Sequence, residues 1–311
     1  MKVVVTGGAG FIGRHVADKL IEAGHEVTIV DNLSRSFPEG INPKAKFVEA
    51  DIADSEKMSA VLSGQEAVIH LANYIVVPES VERAVEYTEN NIVKTVKLLE
   101  VMRQARVTKI IFSSSATVYG EIKNLPIKET DPIGLSTNPY GATKVAMEQM
   151  IAAYHHNWGF EATLLRYFNP YGPGENHEPE THAIPNFVVK TIKNEPIPLY
   201  WKGEQVRDFI YVEDLAVAHV RALELEGMNT LNVGTGSGEK VIDLVKQIFS
   251  LVGHSVPITD LGPRAGDAQE TYASVEMIKK VLGWEAQTSL VEGLQKTIDH
   301  FQKKLNAEPS S

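Results

Sequence analysis

Short apolar runs alternate with longer amphipathic stretches over the first 170 residues of the chain. Six runs rich in Val and Ile have the length and composition of strands that are buried on both faces. They are Lys2–Thr6, Glu26–Asp31, Lys46–Ala50, Ala67–Leu71, Lys109–Ser113 and Ala162–Tyr167. Apolar residues at helical spacing predict helices between them, at Phe11–Ala23, Ser55–Leu62, Glu79–Arg103 and Tyr140–Asn157. Repeated β-α units predict an α/β fold with a Rossmann-type, doubly wound parallel sheet.

The alternation is less regular after Asn169, where Asn-Pro, Gly-Pro-Gly and Glu-Pro pairs indicate a loop as far as Glu180. Further strands are predicted near Ile197–Tyr200, Arg207–Tyr211 and Thr230–Val233, with helices near Ile184–Lys193, Val212–Leu225 and Val241–Val252. A capping-box pattern at Ser289 begins a last helix that ends at about Lys304. We expect two interleaved lobes: residues 1–168 with contributions from about 207–234, and a smaller mixed α/β lobe at 169–311.

Composition narrows the class of protein. The 311 residues are 43% hydrophobic and 23% charged, contain no Cys, and carry a formal charge of −10. The absence of Cys excludes disulfides, thiolate zinc sites and a Cys nucleophile. The acidic balance argues against a nucleic-acid partner, and no apolar run approaches the length of a membrane span. We expect a soluble, cytoplasmic protein that binds any anionic ligand through local cations and backbone N–H groups.

The first strand is followed by a glycine-rich turn, Gly7-Gly8-Ala9-Gly10-Phe11-Ile12-Gly13, and then by a helix. Glycines at this spacing let a pyrophosphate approach the positive end of the helix. Asp31 ends the next strand and suits the ribose 2′-OH of NAD, which makes NAD the expected cofactor. Arg35 leaves NADP as an alternative. Asp51 and Ile52, at the third strand's end, are expected at the adenine.

A second glycine run, Gly234–Gly238, lacks this spacing and is interpreted as a structural turn.

Tyr140 and Lys144 are four residues apart and share one face of a predicted helix. A lysine ammonium and a positively charged nicotinamide would both favour the phenolate form of the tyrosine and lower its pKa. A serine cluster, Ser113 to Ser115, ends the fifth strand, at the edge where open α/β sheets bind ligands. This constellation predicts a tyrosine base beside a serine hydroxyl that contacts a sugar.

Four motifs, which follow one another along the chain in the family's order, resemble the extended short-chain dehydrogenase/reductase family, and within it the UDP-glucose (UDP-galactose) 4-epimerases. They are Thr6-Gly-Gly-Ala-Gly-Phe-Ile-Gly13, Ser113-Ser-Ser-Ala-Thr-Val-Tyr-Gly120, Asn138-Pro-Tyr-Gly-x-x-Lys144 and Arg166-Tyr-Phe-Asn-Pro170. The resemblance covers residues 1 to about 300. It implies NAD-dependent oxidation at C4 of a UDP-hexose, rotation of the 4-keto sugar and re-reduction. The alternatives are a UDP-glucuronate 4-epimerase, a dehydratase or a decarboxylase, and, much less favoured, a non-catalytic NAD sensor.

The resemblance also implies roles for individual residues. Ser115, Tyr140 and Lys144 would be catalytic. Residues expected at the NAD are Gly7, Gly10, Phe11, Ile12, Gly13, Asp31, Asn32, Asp51, Ile52, Leu71, Ala72, Asn91, Ser113, Tyr140, Lys144 and Phe168. Residues expected at the UDP-sugar are Ser115, Asn169, Pro198, Tyr200, Arg207, Arg264, Asp267 and Thr271.

Two positions depart from the family pattern. Ile75 stands where many of these enzymes have a lysine that contacts NAD, and Lys94 stands where a helix glycine is common, a change expected to affect packing only.

Three further expectations concern partners and ligands. Small Thr271 would leave room for an N-acetyl group at C2 of the sugar, unless the neighbouring Tyr272 borders that position instead. Helices near 79–103 and 140–157 would form a homodimer interface. No metal is expected, because His177 and His182 lack the spacing of a helical metal motif.

Overall fold

The computed structural model describes residues 1–121, 124–175, 182–263 and 268–307, and it contains fourteen strands over these ranges. They are β1 (Lys2–Thr6), β2 (Glu26–Asp31), β3 (Lys46–Glu49), β4 (Ala67–His70), β5 (Lys109–Ser115), β6 (Glu161–Tyr167), β7 (Asn169–Tyr171), β8 (Ile197–Leu199), β9 (Val206–Arg207), β10 (Phe209–Tyr211), β11 (Met228–Val233), β12 (Glu239–Lys240), β13 (Ile258–Asp260) and β14 (Glu270–Thr271).

Eleven α-helices lie in the same described ranges. They are α1 (Phe11–Glu22), α2 (Ser55–Leu62), α3 (Val77–Glu82), α4 (Ala84–Thr88), α5 (Lys94–Ala105), α6 (Pro139–Trp158), α7 (Ala183–Ile192), α8 (Val212–Ala222), α9 (Val241–Val252), α10 (Glu276–Leu282) and α11 (Leu290–Ala307). A π-helical turn (Glu89–Val93) connects α4 to α5, and 3₁₀ turns follow β5 (Ala116–Tyr119) and β8 (Trp201–Gly203).

Seven strands form one parallel sheet in the order β11-β6-β5-β4-β1-β2-β3. The strand order reverses beside β1, so the carboxyl ends of β1 and β4 border a crevice in which ligands of this fold class bind. Apolar cores cover both faces: α1 and α8 pack on one face, and α2, α5 and α6 pack on the other. The predicted fold class, a doubly wound Rossmann-type sheet, is confirmed.

Within the described ranges, the later part of the chain adds three small sheets and a third apolar core. β7 pairs with β10, β8 pairs with β13, and β9 lies between β12 and β14. The third core includes Ile184, Val245 and Ile298, from α7, α9 and α11. β11, by contrast, belongs to the main sheet, so the chain returns to the first core after leaving it.

Two predicted elements are interrupted, and both interruptions lie beside the cleft. The helix predicted over 79–103 breaks at Arg83 (φ −124°, ψ 44°) and contains the π-helical turn at Glu89–Val93. The strand predicted over 207–211 breaks at Asp208. This residue is fully buried, and its carboxylate accepts a hydrogen bond from the backbone nitrogen of Thr235 in another loop. The short strands β7, β12, β13 and β14 were not predicted, because two or three residues carry no readable period, and β7 occupies the start of the segment that was expected to be a loop.

Over the ranges described, no helix is both long enough and apolar enough to cross a membrane.

Candidate active site

A cleft of about 510 Å³ extends along the carboxyl ends of the central strands. It is bordered by the glycine-rich turn before α1, the segment from Leu71 to Pro78, the end of β5, the start of α6 and the chain from Tyr167 to Tyr171. The predicted residues that line it are Gly7, Gly10, Phe11, Ile12, Gly13, Asp31, Asn32, Asp51, Ile52, Leu71, Ala72, Ser113, Ser115, Tyr140, Lys144, Phe168 and Asn169. Parallel-strand topology therefore brings together residues that are up to 162 positions apart, from Gly7 to Asn169.

The glycine-rich turn forms a cradle that side chains would fill. Gly7 has a φ of +70°, and a Cβ there would come within 2.7 Å of the backbone nitrogen of Ala72. A Cβ on Gly13 would overlap the carbonyl oxygen of Gly7. α1 begins at Phe11, which lines the cleft, and no side chain of the described residues caps this end of the helix. Its free N–H groups and positive end are therefore available to a ligand in the cleft. These features fit the pyrophosphate of a dinucleotide.

Asp31 ends β2 with its carboxylate held by nearby donors. One oxygen accepts hydrogen bonds from the backbone nitrogen of Leu33 (2.9 Å) and the hydroxyl of Ser36 (2.7 Å). The other accepts from the backbone nitrogen of Ala9 in the glycine-rich turn, at 3.1 Å. The position of the carboxylate is thus fixed relative to the cradle, where it fits an adenosine ribose.

Asp51 is paired with Lys94, at 2.5 Å between Oδ2 and Nζ. Partial burial would raise the pKa of Asp51, but the hydrogen bonds from Lys94, the Ala53 backbone and Asn32 outweigh it and lower that pKa. From the sequence, Lys94 was expected to affect packing only. That expectation is wrong, because the lysine lines the cleft and its ammonium bonds the carboxylate expected at the adenine.

Tyr140 and Lys144 stand one turn apart on α6. Asn138 caps this helix through a bond from the Gly141 nitrogen to its side chain (2.8 Å), and Pro139 occupies the first turn. Nζ of Lys144 donates to the carbonyl oxygen of Ser113 (2.5 Å) and to Oδ1 of Asn73 (3.2 Å), and lies 5.7 Å from the centre of the Tyr140 ring. The end of β5 thus fixes the lysine beside the phenol.

Burial dominates the ionisation of both side chains. It raises the pKa of Tyr140 to about 12, which a hydrogen bond with Ser115 only partly offsets. It lowers the pKa of Lys144 to about 7, against the attraction of Glu148. The described residues alone therefore do not lower the pKa of Tyr140, and the lowering expected from the sequence depends on a bound cation.

A buried network behind the cleft supports these groups and was missed in the sequence analysis. Glu148, one turn beyond Lys144, accepts from both Nε (2.9 Å) and an Nη (2.6 Å) of Arg166 and from the hydroxyl of Ser114 (2.5 Å). The paired charges are almost completely buried, so each requires the other. The available signal was the regular spacing of Tyr140, Lys144 and Glu148, each four positions after the one before.

Thr117 was also missed as a candidate contact. Its hydroxyl is buried, lines the cleft next to Ser115, and has no hydrogen-bond partner within the part of the chain that the structure describes. An unpaired buried hydroxyl at this place can bond a polar ligand.

Asn91 lies differently from the prediction. It was expected to line the cofactor, but it is fully buried and is not among the cleft-lining residues. Its side chain accepts from the Tyr74 nitrogen (2.8 Å) and donates to the Tyr74 carbonyl (2.9 Å) and to Thr143 (3.1 Å). The π-helical turn points this amide inward, so Asn91 holds the wall of the cleft rather than forming its surface.

The residues expected at the nucleotide lie partly outside this cleft. Pro198 is in β8, Tyr200 follows that strand, and Arg207 of β9 is directly opposite Thr271 of β14. Arg207 donates to the carbonyl oxygens of Val206 (2.8 Å) and Gln269 (3.3 Å). Arg264 and Asp267 fall outside the described residues. Tyr272, the residue after Thr271, packs near Gly238.

Asp208 organises the loops of this region. Its carboxylate accepts bonds from the backbone and hydroxyl of Thr235 (2.8 and 2.6 Å), from the Gly236 nitrogen (3.0 Å) and from the Ala273 nitrogen (3.1 Å). The Gly234–Gly238 run is thus folded around a buried acid. The sequence signal for this buried acid was its position directly between Arg207 and the apolar Phe209.

No group of three metal-ligating side chains occurs in the described ranges, which include His182 but not His177.

Comparisons with known proteins agree with this geometry. Residues 3–234 match the model of the NAD dependent epimerase/dehydratase family. The chain is 38% identical to the UDP-glucose 4-epimerase of Thermotoga maritima, solved with UDP-glucose, with a TM-score of 0.94 and coverage of 98% of this chain and 100% of that one.

Two other solved structures are similar. One is a UDP-N-acetylglucosamine 4-epimerase from Methanobrevibacter ruminantium, 34% identical, with a TM-score of 0.92 and coverage of 97% and 98%. The other is a UDP-glucose 4-epimerase from Bifidobacterium longum in complex with NAD⁺ and UDP, 35% identical, with a TM-score of 0.91 and coverage of 99% and 100%. The chain belongs to the NAD dependent epimerase/dehydratase family.

Proposed function

We propose that the protein is an NAD-dependent isomerase that interconverts UDP-glucose and UDP-galactose by inverting C4. The observation that carries this proposal is the position of Ser115, Tyr140 and Lys144 in the same cleft as the glycine-rich cradle. An oxidoreductive site thus lies within reach of a dinucleotide-binding site. The similar enzymes solved with UDP-glucose, and with NAD⁺ and UDP, support it.

Tyr140 is the group that moves the proton. Its phenolic oxygen takes the proton of the sugar 4-OH and returns it after the keto sugar has turned over. Bringing its pKa from about 12 to near 7 requires roughly 7 kcal/mol of differential stabilisation. A protonated Lys144 and the positive nicotinamide ring are the cations that can supply it. NAD, when bound, supplies the acceptor and donor for the hydride at C4.

Ser115 and Lys144 position the reacting groups. Ser115 lines the cleft together with Tyr140, and its hydroxyl can align the sugar hydroxyl with the phenol. Lys144 is anchored to Ser113 and Asn73, and from this position it would bind the NAD ribose. Because net redox change over the cycle is zero, the cofactor is recovered in its starting state.

The UDP portion anchors the sugar while the 4-keto ring rotates. Asn169 lines the cleft, and Arg207 and Arg264 carry the forked guanidinium that matches a diphosphate. We propose that these three residues hold the diphosphate, that Asp267 binds the ribose, and that Pro198 and Tyr200 hold the uracil. Local cations are needed because the protein's net charge is −10.

The other enzymes that share this constellation are less well supported. A dehydratase or decarboxylase would be expected to have an acid next to the catalytic serine, and this chain has Ala116 and Thr117 there. A non-catalytic NAD sensor would not need the triad. A homodimer through the helices near 79–103 and 140–157, and a cytoplasmic location, stay predictions.

Product analysis tests the activity. The protein with NAD is incubated separately with UDP-galactose, UDP-glucose, UDP-N-acetylgalactosamine and UDP-galacturonate, and the products are separated by chromatography. We expect UDP-galactose and UDP-glucose to reach the same mixture from either side, with no net NADH. Loss of water or CO₂ from the sugar, or no turnover by protein that holds NAD, would contradict the proposal.

A further inference from the structure

Arg35 lies on the loop after β2, four residues beyond Asp31, where an arginine commonly receives the 2′-phosphate of NADP. The loop is folded back onto the ribose end of the cleft, because Ser36, next to Arg35, donates to the Asp31 carboxylate. Ser34, Arg35 and Ser36 all line the cleft. A cation suited to NADP is therefore present beside an acid suited to NAD.

The guanidinium of Arg35 is nevertheless engaged elsewhere. Its two Nη atoms donate to the two carboxylate oxygens of Glu79, on α3, at 2.5 and 2.7 Å. Its plane stacks on the Tyr74 ring, with 3.7 Å between the guanidinium carbon and the ring centre. Two parallel charge-assisted bonds and a stacked ring hold the fork in one orientation.

We propose that Glu79 is a cofactor-specificity residue that makes the site selective for NAD by sequestering Arg35 from a 2′-phosphate. The inference rests on the proposed use of NAD and concerns why the second cofactor is rejected. Turning Arg35 towards a phosphate would break both bonds and the stack, and would leave the Glu79 carboxylate, held among the described residues only by Arg83 and Tyr87, near a further anion. Asp31 then acts on the ribose directly, and Glu79 acts through Arg35.

The surroundings of Glu79 keep it charged and in place. Arg35 lowers the pKa of Glu79 to about 2, with further bonds from Tyr87 and Arg83, so it stays a carboxylate at any working pH. Tyr87 donates to Glu79 at 2.8 Å, and the same hydroxyl accepts from the Val76 nitrogen at 3.0 Å. α3 is also tied to the catalytic helix, because the Tyr140 nitrogen donates to the Ser80 hydroxyl at 3.2 Å.

Competition between cofactors tests the proposal. The protein is equilibrated with equal concentrations of NAD and NADP, and the bound nucleotides are released and quantified. Wild type should hold at least ten NAD per NADP. Glu79→Gln keeps the shape and an oxygen for Tyr87 but removes the charge, and should shift the bound NADP:NAD ratio at least tenfold towards NADP.

Double variants assign the effect to Arg35. Adding Arg35→Met to Glu79→Gln should abolish the gain. Adding Arg83→Met should leave it, although Arg83 also loses Glu79 as a partner (2.9 Å). Arg35→Met alone should leave the wild-type ratio within twofold, since Glu79 already occupies that guanidinium.

An unchanged bound NADP:NAD ratio in Glu79→Gln protein that binds NAD would overturn the proposal. It would also be overturned if adding Arg83→Met to Glu79→Gln abolished the gain of NADP while adding Arg35→Met did not. If Glu79→Gln does not fold, Arg35→Met alone decides, because a loss of NADP beyond threefold would mean that Arg35 already reaches the phosphate. Wild-type protein that binds no NAD would instead refute the proposed function.

Discussion

Tyr140 and Lys144 are both buried, and burial disfavours the charged form of each. The site is thus arranged so that the phenol is a poor base until cations are placed next to it. Tyr140→Phe removes only the hydroxyl. We expect kcat to fall at least 100-fold, the range of positioned acid–base groups, while NAD stays bound.

Turnover rate and bound NAD, measured on the same preparation, check this. Tyr154→Phe, on the same helix 14 residues further on, is the control and should retain activity within about twofold. A Tyr140→Phe protein that keeps more than about a tenth of the wild-type rate would refute the role of the phenol.

Lys144 also makes stability depend on pH. Burial lowers its pKa from the ordinary value of 10.5 to about 7 in the folded protein, so between these values the unfolded chain holds a proton that the folded chain has lost. Stability therefore rises with pH across this window. Relative to Lys144→Met, the wild-type free energy of unfolding should increase by about 2 kcal/mol from pH 6.5 to 8.5. Denaturant titrations at several pH values measure the difference, and a flat difference would contradict the assignment.

Thr271 is the residue proposed to set sugar breadth. It is opposite Arg207 on β14, whereas the adjacent Tyr272 packs near Gly238, and adjacent residues of an extended segment face opposite sides. We expect wild type to epimerise both UDP-galactose and UDP-N-acetylgalactosamine, and Thr271→Tyr to lose the acetylated sugar selectively by steric exclusion. The ratio of the two kcat/KM values tests this, and an unchanged ratio would mean that another residue borders C2.

At the scale of elements, the segment Val77–Ala105 shows that a helical period of apolar residues does not predict where a helix is interrupted. The apolar spacing predicted one helix, but the segment contains a break and a π-helical turn that sequence periodicity does not report. The turn inserts Asn91 between Tyr74 and Thr143. Functional sites are where local patterns are expected to fail, because the geometry needed there differs from a regular element.

Asn91→Ala tests this element. The change leaves the backbone nitrogen and carbonyl of Tyr74 without their partner, so we expect a loss of at least 2 kcal/mol in the free energy of unfolding and weaker NAD binding. Thr88→Ala removes an exposed hydroxyl from the preceding turn and should cost less than about 0.5 kcal/mol. Equal effects of the two variants in urea titrations would contradict the role of Asn91.

The sheet and its crevice were predictable because their signals are local. Buried strands are continuous Val and Ile runs, and the glycine-rich turn occupies a fixed place between β1 and α1. The Lys94–Asp51 and Arg35–Glu79 ion pairs were not predictable from the sequence. Their members are 43 and 44 positions apart, and each of these charged residues, taken alone, has the pattern of an ordinary surface residue. Both pairs depend on loop conformations that only tertiary packing determines.

At the scale of the whole molecule, the same helices that border the cleft also present an apolar outer face. Val81 and Val85 are 63% and 72% exposed on α3 and α4, and the packed helix α6 adds exposed Ala142 and Ala153. Exposed apolar residues grouped on neighbouring helices are typical of a subunit interface. Because α3 carries Glu79 and Ser80, contact with a second copy would also stabilise the wall of the cofactor cleft.

We therefore expect the wild-type protein to be a dimer by light scattering and Val85→Arg to be a monomer, because a charge would be buried at the centre of a self-complementary face. Val291→Arg is the matched control: Val291 is 52% exposed on α11, and its replacement should leave the dimer intact. A monomeric wild type, or a Val85→Arg protein that remains dimeric, would refute this interface. Dissociation of the dimer should also speed the loss of bound NAD, because α3 would lose the support of the second copy. If the monomeric variant released NAD at the wild-type rate, cofactor retention would not depend on the dimer.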